Sequence, residues 1–217
     1  MSRNADDLSA LIRQRAGNQA VEVGLVLGSG LGHLADAVEV VAIPYADLPG
    51  FPHAGVSGHN PKLVVGELEG RRVAVFGGRA HYYESGRGDA MRLPLEVLKA
   101  LGGSRLILTN AAGSLQPGMP PGSLMLLQDH INFSGLNPLI GEKTDARFVP
   151  MTNAHDPSMR AALLTAAIAM PAHLTLPPAI HDNYRKQVLA WQARAGKNYL
   201  RTGWRAPSFP AGMEPPF

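Results

Sequence analysis

Short apolar runs separated by glycine- and proline-rich polar stretches organise most of this chain. Residues 21–27 read as a buried strand and Glu39–Ile43 as a short second one. Lys62–Leu68 and Arg72–Phe76 flank Glu69-Gly70-Arg71, a hairpin signal. Arg105–Thr109 and Leu124–Gln128 add two further runs that read as buried strands. Between these runs the apolar period changes to that of a helix. Leu8, Leu11 and Ile12 have helical spacing, Leu31–Val38 reads as helical, and so do residues 89–101, where Pro94 is tolerable only near the first turn. Asp156–Ala169 predicts another helix, with Asp156 as N-cap and Pro157 at the first helical position. Strands alternating with helices argue an α/β protein. The stretch between, PYADLPGFPHAGVSGHNP at 44–61, is long for a loop of a compact domain, and such loops are functional or disordered. Its aromatics and two histidines weigh against disorder.

Composition narrows the class. With 217 residues, 45% hydrophobic and 17% charged, the chain suits one large globular domain. No apolar run approaches the ~20 residues of a membrane span, so no membrane partner is expected. The first residues, MSRNADDLSALIRQRAG, have no signal-like apolar region, and a cytoplasmic protein is expected. The absence of cysteine excludes disulfides, thiolate metal sites and a cysteine nucleophile. The formal charge of +3 is unevenly spread: residues 169–217 hold six Lys/Arg against Asp182 and Glu214, so the body before them is slightly acidic. No nucleic-acid partner is expected of such a body. Seven of the 18 prolines and both tryptophans lie beyond Ile168, where only His181–Ala195 looks helical. The chain therefore divides into residues 1–168 and a basic, proline-rich tail, 169–217.

The residue types suited to chemistry gather at the ends of the strands. VGLVLGSGLGHLAD at 23–36 is a strand, a glycine-rich turn and a helix, an order in which turn N–H groups and a helix N-terminus meet phosphate. It is not a P-loop, because Gly32 is followed by His33 and Leu34 rather than Lys-Ser/Thr. It is a poor dinucleotide fingerprint, because His33 stands at the third glycine and the ribose acid has only weak candidates such as Asp47. A ligand-free turn and a small-anion loop, with Ser29 offering its hydroxyl, remain. A second cluster, GGRAHYYE at 77–84, offers the Arg79 guanidinium fork and the His81 ring. In an extended segment Arg79, His81 and Tyr83 share a face, and Glu84 is placed to orient one of the cations. The bland alternative is a solvated polar loop. Asn110–Ser114 ends a third strand. Ligands of open α/β sheets collect at such carboxyl ends, so the three ends together suit one pocket. His53 and His59 lack carboxylates at ligand spacing, and no metal site is expected. There is no G-x-S-x-G elbow and no evident carboxylate pair for glycoside hydrolysis. A phosphate held in such a pocket can itself be the nucleophile.

In order, LGSGLG at 27–32, FPHAGVSGH at 51–59, GRAHYYE at 78–84, TNAAGSL at 109–115, DHINFSGLNPL at 129–139 and RFVPM at 147–151 resemble the homotrimeric purine nucleoside phosphorylase family, over about residues 5–167. The resemblance implies a single domain with a central mixed β-sheet flanked by helices, and phosphorolysis of purine (deoxy)ribonucleosides to base and (deoxy)ribose 1-phosphate. Orthophosphate is then a co-substrate and no cofactor is needed. It also implies roles. Ser29, Arg79, His81 and the Ala111 N–H match the phosphate cradle. His59 matches a histidine near phosphate and sugar, Tyr83 a tyrosine at the ribose hydroxyls, and Glu84 a carboxylate ordering the phosphate side. His81 and Glu84 are thereby the catalytic candidates. Asn110 and Ala112 fall beside the base. Phe148 matches an aromatic reaching a neighbouring subunit's sugar site, which implies a homotrimer. The sister activity on 5′-methylthioadenosine is the alternative within the same superfamily, and Asn110-Ala111-Ala112 resembles the purine nucleoside enzymes more. From Ile168 the chain departs from the pattern, and Pro210 stands where the family's base-binding glutamate follows Ser-Phe. The C-terminal part therefore reads as truncated or divergent, and a non-catalytic phosphate-binding chain is the competing reading.

Overall fold

A computed structural model of the chain describes residues 3–28, 31–52, 61–114, 117–120, 122–129, 131–132, 134–152 and 154–169. The expected helix at 181–195 lies outside these residues, as do Ser29, His53 and His59. The chain falls into two compact units, one of residues 1–111 with 126–165 and one of 112–125 with 166–217.

The first unit is built on a five-stranded mixed sheet. Its strands are β1 (Val23–Val26), β2 (Glu39–Pro44), β3 (Lys62–Leu68), β4 (Arg71–Phe76) and β5 (Arg105–Leu108), in the order β2-β3-β4-β1-β5. β1 pairs in parallel with β4 and β5, whereas β3 runs antiparallel to β2 and β4. The β3–β4 hairpin closes on Glu69 and Gly70, both at positive φ (48° and 70°), the twist a two-residue loop needs.

Strand alternation sorts the core into two layers. Leu63, Val65, Ala74 and Phe76 face one way, where α1 (Arg3–Ala16) contributes Ala5, Leu8 and Ile12, and α3 (Arg92–Ala100) contributes Val97 and Leu98. Val64, Val73 and Val75 face the other way, under Leu27, Ala35 and Val38. Two arginines tie helix ends to their surroundings. Arg13 donates to the Ala100 carbonyl at the end of α3 (2.9 Å), and Arg72 Nη2 donates to the Ala16 carbonyl at the end of α1. Both satisfy carbonyls that a helix leaves open at its C-terminus. Pro94 sits in the first turn of α3, where its missing N–H costs nothing.

Three expectations need correction. Leu31–Val38 forms a 3₁₀ segment, Gly32–Ala37, because only i→i+3 bonds such as Leu34 N–H to Leu31 O close before β2 begins. Leu124–Gln128 is not a strand. Its pattern is apolar, but among the described residues no neighbour ladders with it, and Leu124, Met125 and Leu127 are exposed. β5 is real but not buried: it is an edge strand, and Leu108 is 64% exposed. The predicted α4 (Pro157–Ala169) is present, and its Asp156 cap accepts from Met159 N–H at 2.8 Å, yet the helix buries no residue. Among the described residues, no helix is long and apolar enough to cross a membrane.

Gly24 sets how closely α3 approaches the sheet. A Cβ there would lie 2.3 Å from Leu98 Cδ2, and Leu98 is buried. Gly24→Ala is therefore expected to destabilise by about 1–3 kcal/mol, read as a lower urea midpoint. Adding Leu98→Val should recover part of the loss, and an unchanged midpoint in the single variant would show that α3 shifts freely.

Candidate active site

Because β1, β4 and β5 are parallel to one another, their carboxyl ends reach the same edge of the sheet. Thr109, immediately after β5, joins these ends. Its hydroxyl accepts from Gly28 N–H (2.8 Å) and donates to Val26 O (3.1 Å), while its N–H also donates to Val26 O (3.0 Å). Its carbonyl accepts from Arg79 Nη1 at 2.5 Å. Gly28 must be glycine for this approach, since a Cβ would come within 2.9 Å of Asn110 Cα and Thr109 O. The first glycine of this turn thus has a packing cause.

The segment after β4 is pinned residue by residue. Gly77 N–H donates to Lys62 O (3.0 Å), Gly78 O accepts from the Tyr45 hydroxyl (2.8 Å), and Arg79 reaches Thr109. Tyr45 is buried, and burial pushes its phenol far above the ordinary value, with the bond to Gly78 acting the other way. Its ring meets Phe51 edge-on at 5.1 Å, and Phe51 stacks toward Phe76.

Beyond Arg79 the chain is extended only as far as His81. Tyr82–Ser85 forms a single helical turn, α2, and Gly86 at φ 69° ends it. The expected extended face of Arg79, His81 and Tyr83 is therefore corrected. Glu84 accepts from the His81 backbone N–H at 2.7 Å and starts a turn instead. His81 and Tyr83 still meet, because the turn stacks their rings with centroids 4.9 Å apart and planes 9° from parallel. Burial lowers the His81 pKa, Arg79 lowers it further and Glu84 opposes both. The imidazole is thus disposed toward its neutral form, with one nitrogen donating and one accepting.

The remaining predicted residues are placed less closely. Asn110 and Ala111 follow Thr109 on the same edge, Asn110 exposed and Ala111 half-buried. Ala112 opens the second unit. Phe148 is 68% exposed, with the Arg147 guanidinium 4.8 Å from its ring centre. With Asn137, Ile140, Glu142 and Lys143 it lines an open cavity of about 770 Å³. Asp47, the weak ribose candidate of a dinucleotide site, is bonded to Arg15 at 2.9 Å. Tyr45 and Thr109, which bond these segments together, carry no signal of that role in the sequence. Thr109 begins a motif whose later residues drew attention, and Tyr45 looks like one more turn-loop aromatic.

A model described as the phosphorylase superfamily matches residues 22–181. Purine nucleoside phosphorylase 1 of Geobacillus stearothermophilus is 45% identical over 164 residues, covering 74% of this chain and 60% of that protein. A crystal structure of Schistosoma mansoni purine nucleoside phosphorylase in complex with inosine superposes with a TM-score of 0.67 at 37% identity, over 76% of this chain and 60% of that one. Isoform 2 of the Schistosoma mansoni enzyme, in complex with cytosine and ribose-1-phosphate, gives 0.68 at 35% identity, over 76% and 60%. The chain spans about three fifths of the length of these relatives.

The electrostatics of the second strand end set a titration. Following the His81 ring protons by NMR is expected to give a midpoint below 6.5. Arg79→Ala should raise that midpoint, by removing a repelling cation, and Glu84→Gln should lower it further. A midpoint unmoved by either variant would place both groups away from the ring.

Proposed function

This chain belongs to the phosphorylase superfamily, and on that premise we propose that it is built for the phosphorolysis of purine (deoxy)ribonucleosides. The observation that carries the reading is the convergence of three parallel strand ends through Thr109, with the Arg79 fork anchored there by one nitrogen. In the proposed reaction orthophosphate attacks the anomeric carbon and the glycosidic bond to the purine breaks. Its electron pair leaves with the base, which takes up a proton, and (deoxy)ribose 1-phosphate forms. The sugar passes through an oxocarbenium-like state, so a held anion stabilises the developing positive charge as well as attacking it.

Each residue has a role in this proposal. Ser29, Arg79, His81 and the Ala111 N–H hold the phosphate, with Arg79 contributing charge-assisted bonds. A neutral His81 donates to the anion without adding charge, and Glu84 keeps the turn that carries it. His59 serves phosphate and sugar, Tyr83 the ribose hydroxyls, and Asn110 and Ala112 the base. Phe148, exposed on its own subunit, completes the sugar site of a neighbour in a homotrimer. Residues 1–168 form the nucleoside phosphorylase portion and 169–217 a separate tail. Orthophosphate is a co-substrate, no cofactor takes part, and the setting is cytoplasmic purine salvage.

A second reading, phosphate binding without turnover, is favoured by one observation. Every described residue of 123–125, 127–129, 131–132 and 143–152 is exposed. A purine needs desolvated partners for its ring nitrogens.

Inosine cleavage is the test. The proposal expects release of hypoxanthine and ribose 1-phosphate that stops when orthophosphate is withheld. Cleavage at the same rate without phosphate would mean hydrolysis and would overturn it. Phosphate binding with no cleavage would favour the second reading. Arg79→Ala should weaken phosphate binding about tenfold or more, as loss of a charge-assisted bond implies, measured by titration calorimetry.

A further inference from the structure

We propose that Tyr45 is a positioning residue for the anion site, its buried hydroxyl holding the Gly78 carbonyl so that Arg79 is delivered to Thr109. The inference rests on the phosphate-binding reading of Arg79.

Gly77 and Gly78 follow β4 without side chains, and such a pair has wide backbone freedom. A guanidinium carried on that segment has no fixed origin unless the backbone is held from outside. The structure supplies three holds on three successive residues, each from a different part of the unit. Gly77 is held by Lys62 at the start of β3, Gly78 by Tyr45 after β2, and Arg79 by Thr109 after β5. The first is a backbone bond at the sheet edge, and the last grips the Arg79 guanidinium rather than its backbone. The middle one brings a core side chain onto the glycine backbone from outside the segment.

Tyr45 is itself immobilised. Its N–H donates to Pro61 O at 2.7 Å, its ring packs on Phe51, and 2% of its surface is exposed. A ring so fixed presents its hydroxyl at one point, which makes it a reference for the glycine carbonyl it meets. Gly78 is also buried. Removing the hydroxyl leaves an acceptor cut off from water, a cost the segment relieves by moving its carbonyl. Moving Gly78 displaces the Arg79 backbone with it. Tyr45 touches no reacting group, so its effect on the anion must pass through Arg79.

The test is a double-variant cycle on the full chain, titrated calorimetrically with inorganic phosphate. Tyr45→Phe keeps the ring and is expected to weaken phosphate binding on the order of fivefold. Arg79→Lys keeps the charge and discards the fork. In that background Tyr45→Phe should change affinity less than twofold, because no guanidinium remains to be placed. Phe51→Leu loosens the same packing without touching the hydroxyl, and should leave affinity within twofold. Equal binding by Tyr45→Phe and parent would overturn the inference while leaving the phosphate reading intact. So would an equal loss in the Arg79→Lys background, or a loss of the same size in Phe51→Leu. A parent chain that binds no orthophosphate would overturn the phosphate reading, and this inference with it.

Discussion

Everything in the candidate site depends on β1 having a parallel neighbour on each side. Parallel pairing sends three chain directions the same way, so the polar segments after Val26, Phe76 and Leu108 leave the sheet along one edge. Antiparallel pairing of any one of the three would carry its polar segment to the opposite edge, and no local change of sequence would restore the convergence. The close approach at Gly28 and Thr109 then turns shared direction into contact. Strand pairing supplies the gross position of the arginine, and side-chain hydrogen bonds supply the rest.

Much of this was legible because the signals were local. β3 and β4 were readable from two apolar runs around Glu69-Gly70, and Pro94 and Asp156 marked their helix starts by capping and backbone rules. The strand ends were recognisable by their glycines, and their meeting follows from the general behaviour of α/β sheets. What stayed hidden was non-local. Thr109 acts through a contact with Gly28, 81 residues away in sequence, and Tyr45 through one with Gly78, 33 residues away. No periodicity encodes either bond. The LMLLQ run at 124–128 shows the same limit from the other side: apolar patterning announces a strand, but a strand exists only where another one ladders with it. The turn at Tyr82–Ser85 was hidden for a different reason. Histidine is a weak N-cap signal, and the Glu84 carboxylate that closes the turn invites a functional reading before a structural one.

The two halves of the described chain differ in how they meet water. Up to Leu101 the sequence fills two core layers, whereas from Asn110 on no described residue is fully buried. Among the described groups proposed for phosphate, Arg79, His81 and Ala111 follow directly on the strand ends of the packed portion. Asn110 and Ala112, proposed for the base, are exposed. Holding an anion and releasing a nucleobase make different demands on the dielectric, and the residues proposed for the two tasks meet water differently.

The sheet order also sets how far apart in sequence its paired strands lie. β2, β3 and β4 are joined by antiparallel pairings, and of these connections the two-residue β3–β4 hairpin closes a short loop, whereas residues 45–61 separate β2 from β3. β1 must instead enter between β4 and β5, contacting strands far along the chain in both cases. Closing such separations costs chain entropy before any contact offsets it. The contact of Gly28 with Thr109, 81 residues apart in sequence, is a costly closure of this kind. An anion held as proposed, by groups from all three strand ends, would have nothing to bind until those ends meet. Binding would then stabilise only the finished arrangement and none of its precursors, so orthophosphate would act on this unit as a latch across its joined strand ends.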